Sequence, residues 1–208
     1  MGLTAVYFDN FNYFRDTLSE ESMNIFREET KDIQNNFGSL TTNNNTLAGN
    51  IAREYYLDEE ANNKIESLLL PYAKSYCESN PGVFSKPVDY SKLKLKSSWA
   101  NFQSKYEFNP PHTHTGLISF VVWVKIPYSR EDELQNNSVR YSNCPLAGSF
   151  QFLYSDILGR VSPHIIHCDK SMENTLLMFP AALNHAVYPF YTSDEYRITV
   201  SGNFFEDV

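Results

Sequence analysis

Hydrophobic residues recur along this chain with two different periods, and the change falls near residue 90. Before it the spacing is helical. Ser19-Glu20-Glu21 opens a segment with Met23, Phe26 and Ile33 at helical intervals. Acids in a first turn suit the positive end of the helix dipole. The segment fades at Asn35-Asn36-Phe37-Gly38, and the polar stretch 39–45, with three asparagines, reads as a loop. Asp58-Glu59-Glu60 starts a second helix whose Ile65, Leu68, Leu69, Tyr72, Ala73 and Tyr76 fall on one stripe. Pro71 is a candidate kink within it, and Ser79-Asn80-Pro81-Gly82 ends it.

After residue 90 the period becomes two. Leu93, Leu95, Ser97, Trp99 and Asn101 are expected on one side of a strand, with lysines on the other. Residues 117–126 are apolar on both sides, as in a strand covered twice. Further strands are predicted at 149–154, 161–166, 175–179, 186–190 and 196–205. Helices followed by a run of short strands argue for an α+β protein, with helices packed on a β-sandwich or barrel.

Composition supports a packed core. Of 208 residues, 42% are hydrophobic, and 14 Tyr with 15 Phe favour β structure. The net charge of -8 and the lack of a basic cluster beyond the spaced Lys92, Lys94 and Lys96 disfavour a nucleic-acid partner. No apolar run reaches the roughly 18 residues that span a bilayer. The first residues lack the basic start and apolar stretch of a secretion signal. Three widely spaced cysteines, Cys77, Cys144 and Cys168, suit a reducing cytoplasm with buried, reduced thiols. No GxSxG, P-loop or GxGxxG motif is present.

The histidines carry the chemistry. His112 and His114 sit in Asn109-Pro110-Pro111-His112-Thr113-His114-Thr115-Gly116, a loop or the start of a strand. In extended chain, residues two apart point the same way with Cα atoms roughly 6.5 Å apart, so two imidazoles can converge on one ion. Taken alone, HxH also fits a polar pair satisfied by its neighbours. His185 precedes a strand, where a lone histidine is often structural. Further on, Arg197, Thr199, Ser201 and Asn203 share one side of a strand, with Ile198 and Val200 on the other. That polar side is either a solvated edge or the wall of a wet cavity. An arginine aimed into a cavity needs an anion, and its planar fork suits a carboxylate. Three ligands on one face of a metal leave open positions for other ligands. His164 and His167, three apart, face opposite ways in a strand and read as structural or surface residues.

The combination resembles a known family. Trp99-Ala100-Asn101, the segment 109–116, Leu117-Ile118-Ser119-Phe120, Gly148-Ser149-Phe150-Gln151-Phe152, Leu177-Met178-Phe179-Pro180, His185 with Val187 and Pro189, and the segment 197–203 resemble the 2-oxoglutarate, Fe(II)-dependent oxygenases of cyanobacterial and other marine phages, relatives of prolyl 4-hydroxylases. The overlap runs from about residue 40 to the last residue. The resemblance implies a double-stranded β-helix (jelly-roll, cupin-like) core buttressed by N-terminal helices. It divides one compact domain into a mainly helical part, 1–90, and a catalytic core, 91–208. It implies Fe(II) held by His112, His114 and His185, and 2-oxoglutarate held by Arg197 and Thr199, with Asn101 and Ser119 nearby. Gln151 and Tyr154 are further candidates for the pocket.

One departure matters. The wider superfamily carries HxD or HxE where this chain has His114, although the resembled phage sequences also carry HxH. Three neutral imidazoles leave the site one negative charge short. Asp156 is a candidate for a distant carboxylate. The expected activity is hydroxylation of a C–H bond, in a peptidyl residue or a small molecule, by a cytoplasmic enzyme. A three-histidine dioxygenase that needs no keto acid, and a non-catalytic jelly roll of a virion, are the alternatives. The loop from Ile126 to Gly148 is long enough to form a mobile cover.

Overall fold

The computed structural model describes residues 4, 12–84 and 86–207. The stretch where no secretion signal is expected lies almost wholly outside them. The helices form where the periodicity places them. Helix α1 spans Glu20–Asn35, and the Ser19 hydroxyl accepts from the Ser22 amide at its start. Helix α2 spans Glu59–Ser79, capped by the Asp58 carboxylate on the Ala61 amide. Pro71 lies inside α2, which runs on past it.

Ten strands follow in two sheets. They are β1 (Phe14–Thr17), β2 (Glu54–Tyr56), β3 (Leu93–Gln103), β4 (Asn109–His112), β5 (Ile118–Lys125), β6 (Phe150–Ser155), β7 (Val161–Ile166), β8 (Thr175–Pro180), β9 (Asn184–Val187) and β10 (Arg197–Glu206). A short helix α3, Arg130–Gln135, lies between β5 and β6. The large sheet has the order β1-β8-β5-β10-β3-β2, and the small sheet β4-β9-β6-β7. From β3 to β10 the chain passes between the sheets at every step except β6 to β7, which pair as a hairpin. This is the eight-stranded double-stranded β-helix. Strands β1 and β2 come from the first 90 residues and edge the large sheet.

Two cores follow from strand alternation. Ile118, Phe120 and Val122 of β5, Ile198, Val200 and Phe204 of β10, and Ala100 and Phe102 of β3 pack with Phe26, Ile65, Leu69 and Tyr76 of the helices. Val121, Trp123, Leu177 and Phe179 point the other way and meet Phe150 and Phe152 of the small sheet. The doubly covered strand expected at 117–126 is therefore β5.

The single phase expected from Leu93 to Asn101 breaks. Ser97 pairs with Asn203 while Leu95 pairs with Phe204, so Lys96 is an extra residue on β3. Such a bulge switches the faces of every residue beyond it. Leu93 and Leu95 consequently join the helix-side core, whereas Trp99 and Asn101 face the space between the sheets.

The 126–148 connection is tied down. The buried Glu133 carboxylate accepts from the Tyr191 and Thr192 amides and from the Thr192 hydroxyl. Tyr128 is buried and its hydroxyl donates to the Gly148 carbonyl. No residue from 126 to 148 borders the cavity between the sheets; Leu47, Ala48, Gly49 and Ile51 do. The expectation of a mobile cover in this connection is thus corrected. Glu133→Ala strips three donors of their charged acceptor and is expected to cost about 3 kcal/mol, read as a lower urea midpoint.

Cys77 and Cys168 are buried, and burial pushes both thiols up to about 11. Cys144 is exposed, contrary to the expectation of a buried thiol, because it lies in the surface part of the 126–148 connection. Among the described residues no helix is long and apolar enough to cross a membrane.

Candidate metal centre

The three histidines expected at the site come together. His112 ends β4 and pairs directly across the small sheet with His185 of β9, which in turn pairs with Phe152 of β6. His114 lies two residues beyond β4, its amide donating to the Ala181 carbonyl. Pro111, Thr113 and Thr115 are exposed while His112 and His114 are partly buried, so the alternation turns both rings inward. Ring centroids stand 4.2 Å apart for His112 and His185, 4.9 Å for His112 and His114, and 5.0 Å for His114 and His185. One nitrogen from each ring lies within 4.8 Å of the other two.

Their hydrogen bonds fix which nitrogens are free. His112 Nδ1 is 2.7 Å from the Pro110 carbonyl and His185 Nδ1 is 2.9 Å from the Leu183 carbonyl. A carbonyl only accepts, so each Nδ1 carries the proton and each Nε2 keeps its lone pair. His185 is wedged among Phe150, Phe152 and Phe179, and His114 lies against Trp99. Burial, with the other imidazoles' charge second, pushes His185 down to about 3 and His114 down to about 4. Burial also lowers His112. All three shifts favour the neutral imidazole, the form that can bind a metal. Ligands on one octahedral face at about 2.1 Å from a metal stand about 3 Å apart. The three nitrogens, within 4.8 Å of one another, would need to close by up to about 2 Å to share one ion.

A sign follows for pH. Protons compete with a metal only below the imidazole pKa values, here depressed from 6.5. From pH 8 to about 5.5 metal affinity is expected to fall less than it would for unperturbed imidazoles, which lose about tenfold per ligand for each unit below 6.5. Ni(II) titrations across that range measure it.

Arg197 starts β10 and is 1% exposed. Its Nε and Nη2 donate to the Gln103 amide oxygen, Nη1 to the Tyr128 hydroxyl and the Gly148 carbonyl, and Nη2 also to the Tyr188 carbonyl. Every acceptor is neutral, and among the described residues no carboxylate lies within ion-pair distance. A buried cation without a counter-ion, bordering a cavity, attracts an anion. Gly148 is essential to this cradle: its φ is +68°, and a Cβ there would meet the Tyr128 ring at 2.7 Å.

The cavity between the sheets is bordered by His112, His114, His185, Arg197, Thr199, Ser201, Trp99 and Asn101. The polar side of β10 is thus a cavity wall. Asn101 Nδ2 donates to Thr199 Oγ1 at 3.2 Å, which leaves the Thr199 hydroxyl hydrogen for a ligand. Ser119 lies on the same sheet face, but its hydroxyl donates to Asn203 Oδ1 and it does not border the cavity. Gln151 accepts from the Tyr188 hydroxyl, and Tyr154 packs at the edge of the inter-sheet core.

Asp156 is no part of the site. It sits in the β6–β7 turn, held by Arg160. His164 meets the Tyr13 hydroxyl and His167 the Ser149 hydroxyl, both away from the triad. The carboxylate that does border the cavity is Glu54 of β2, 1% exposed. Burial and, secondarily, Glu107 push it up to about 7. Sequence reading missed Glu54 because Arg53-Glu54-Tyr55-Tyr56 carries no motif; only its register with Asn101 brings it to the site. Gln103 and Tyr128 were missed likewise.

A double-stranded β-helix that turns three imidazoles and one uncompensated guanidinium into the space between its sheets has the makings of a metal-binding protein. The comparison with protein families narrows this. Residues 97–203, more than half of the chain, match the family described as "Putative 2OG-Fe(II) oxygenase", and the chain belongs to that family. It is therefore an enzyme of the Fe(II)- and 2-oxoglutarate-dependent kind. No curated protein matches it in sequence. Among solved structures it is similar to a Pseudomonas putida prolyl-4-hydroxylase, at 13% identity over 95% of this chain and 94% of that one, with a TM-score of 0.60. A prolyl 4-hydroxylase from Phytophthora capsici gives 11% identity, 93% and 58% coverage, and a TM-score of 0.56. HygX from Streptomyces hygroscopicus, solved with nickel and 2-oxoglutarate bound, gives 13% identity, 92% and 82% coverage, and a TM-score of 0.52. At these identities the likeness is one of fold.

Proposed function

We propose that His112, His114 and His185 hold Fe(II), His112 and His185 through Nε2, that Arg197 and Thr199 hold the C5 carboxylate of 2-oxoglutarate, and that the enzyme hydroxylates a C–H bond in a peptidyl residue. The observation that carries this reading is the placement of a convergent imidazole triad and an anion-seeking arginine on one cavity. When bound, iron and the keto acid supply dioxygen activation, decarboxylation to succinate and carbon dioxide, and hydroxylation of the substrate.

The chain's own residues prepare that chemistry. Phe150, Phe152 and Phe179 keep water from one side of His185 and hold its ring in place. The carbonyls of Pro110 and Leu183 set the tautomers of His112 and His185. Gln103, Tyr128 and Gly148 preorganise the guanidinium, whose N–H groups can be shared with or passed to an incoming carboxylate. Asn101 orients Thr199 as a donor. Three neutral ligands leave the site more positive than an HxD site would be, which favours anionic co-ligands.

The peptidyl substrate is supported by the prolyl-hydroxylase likeness in fold. A phage source rests on the motif resemblance alone, and a reducing cytoplasm on the three unpaired cysteines. Anaerobic titration tests the reading. A visible charge-transfer band is expected when Fe(II) and 2-oxoglutarate are both present and with neither alone. Oxygen uptake with substrate but without the keto acid would overturn it.

A further inference from the structure

Beside the triad the cavity wall changes character. Glu54 Oε2, Asn101 Oδ1 and Asn109 Oδ1 are buried oxygens without a hydrogen-bond partner, and all three residues border the same cavity. Glu54 is 1% and Asn101 6% exposed. Glu54 pairs in register with Asn101, and Asn101 with Thr199, so these side chains form a row on the inner face of the sheet. Gly49 stands over the group. A Cβ on it would lie 2.3 Å from Asn109 Oδ1 and 2.7 Å from Glu54 Oε1, so both oxygens close on this backbone and only glycine fits between them. The loop carrying Gly49 is pinned by the bridge between Asn50 and Phe108.

The chemistry of this group is one-sided. Its unpartnered oxygens are acceptors buried in the cavity wall and, among the described residues, no lysine or arginine pairs with Glu54. The neighbouring acid, Glu107, is already engaged by the Ala52 and Ser104 amides. Arg53 turns the other way, onto Phe37 and Tyr196. A neutral donor would fill the lone pairs but leave a buried carboxylate uncompensated. A cationic nitrogen does both. Arg197 lies on β10, two strands from β2, about 10 Å across the sheet. The cavity therefore has a positive end suited to the keto acid and an acidic end beside it, where a bound cation would hold the Glu54 carboxyl ionised.

We infer that Glu54, Asn101 and Asn109 form the subsite that seats a cationic nitrogen, an ammonium or guanidinium group, of the substrate to be hydroxylated. This rests on the oxygenase reading above and adds the substrate class. Such a group can come from a lysyl or arginyl side chain next to the target residue in a peptide, or from a free amine metabolite.

The test uses the full chain loaded with Ni(II) and 2-oxoglutarate. Calorimetry measures binding of acetylated Ala-Pro-Lys-Ala and Ala-Pro-Arg-Ala peptides, their norleucine counterpart, and free butylamine and butylguanidine. At least one cationic probe is expected to bind at least tenfold more tightly than its neutral isostere, peptide or free amine according to the source. Glu54→Gln is expected to abolish that preference, with the anaerobic Fe(II)/2-oxoglutarate band retained as the mark of an intact centre. Asn109→Leu, which removes a second acceptor without touching the carboxylate, is expected to weaken cation binding several-fold and guards against a misfolded Glu54 variant. Equal binding of cationic and neutral probes, no binding of any cation, or a preference that survives in Glu54→Gln overturns the inference. Absence of the charge-transfer band in the unaltered protein instead overturns the oxygenase reading.

Discussion

A His185→Ala variant is expected to bind Fe(II) more than about 100-fold more weakly, since loss of even an outer-shell partner of a metal ligand costs 10–100-fold. It should also lose both the charge-transfer band and succinate formation. His185 is the critical member of the triad on geometric grounds. It is 4% exposed, its Nδ1 is committed to the Leu183 carbonyl, and its ring is held among Phe150, Phe152 and Phe179. Its Nε2 is thus positioned in advance, and among the described residues no further His, Cys, Asp or Glu joins this group. Removing the ring leaves a small apolar cavity, so a moderate fall in melting temperature accompanies the change. His185→Gln keeps most of that volume and separates the two effects. Wild-type iron affinity in either folded variant would contradict the assigned ligand set.

Substitution of Arg197 should act on the co-substrate and on the fold together. Taking the guanidinium from a buried carboxylate partner costs roughly 2–5 kcal/mol of binding, so Arg197→Met is expected to raise the 2-oxoglutarate dissociation constant by about 30-fold or more. The same change leaves the Gln103 oxygen and the Tyr188 carbonyl without their donor, while the Gly148 carbonyl keeps the Tyr128 hydroxyl, and each buried acceptor so stranded costs about 1–3 kcal/mol. Arg197→Lys keeps the charge but not the planar fork. It should weaken 2-oxoglutarate binding less than methionine does while losing much of the same stability. Titration of the charge-transfer band against 2-oxoglutarate, beside urea denaturation, resolves the two. Unchanged co-substrate affinity in a folded Arg197→Met protein would remove Arg197 from the binding role.

The fold was legible wherever short-range pattern decides structure. Ser19 and Asp58 cap helices where their positions predict. The two-sided apolarity of 117–126 is that of β5, buried between helices and the small sheet. The β7 strand lies at 161–166 as expected. Strands β1 and β2 were not legible. They are four and three residues long, too short to display a period, and each is defined by its partner in the sheet.

The site shows the same division. HxH, His185 and the spacing of Arg197 with Thr199 were readable as chemical types. Asp156 was a misleading acid, because nothing local separates a turn carboxylate held by Arg160 from one that borders a cavity.

Sequence by itself determined the helices and their caps, the long strands, the inward alternation of His112 and His114, and the residue types of a metal centre. These depend on neighbours a few positions away. Only the tertiary structure decided that His185 faces His112 across a sheet, that Arg197 is buried without a counter-ion, that Lys96 bulges and turns Trp99 and Asn101 inward, and that Glu54 enters the cavity. Those outcomes are set by strand register between distant segments, where a slip of one residue reverses every side chain and leaves the local sequence unaltered.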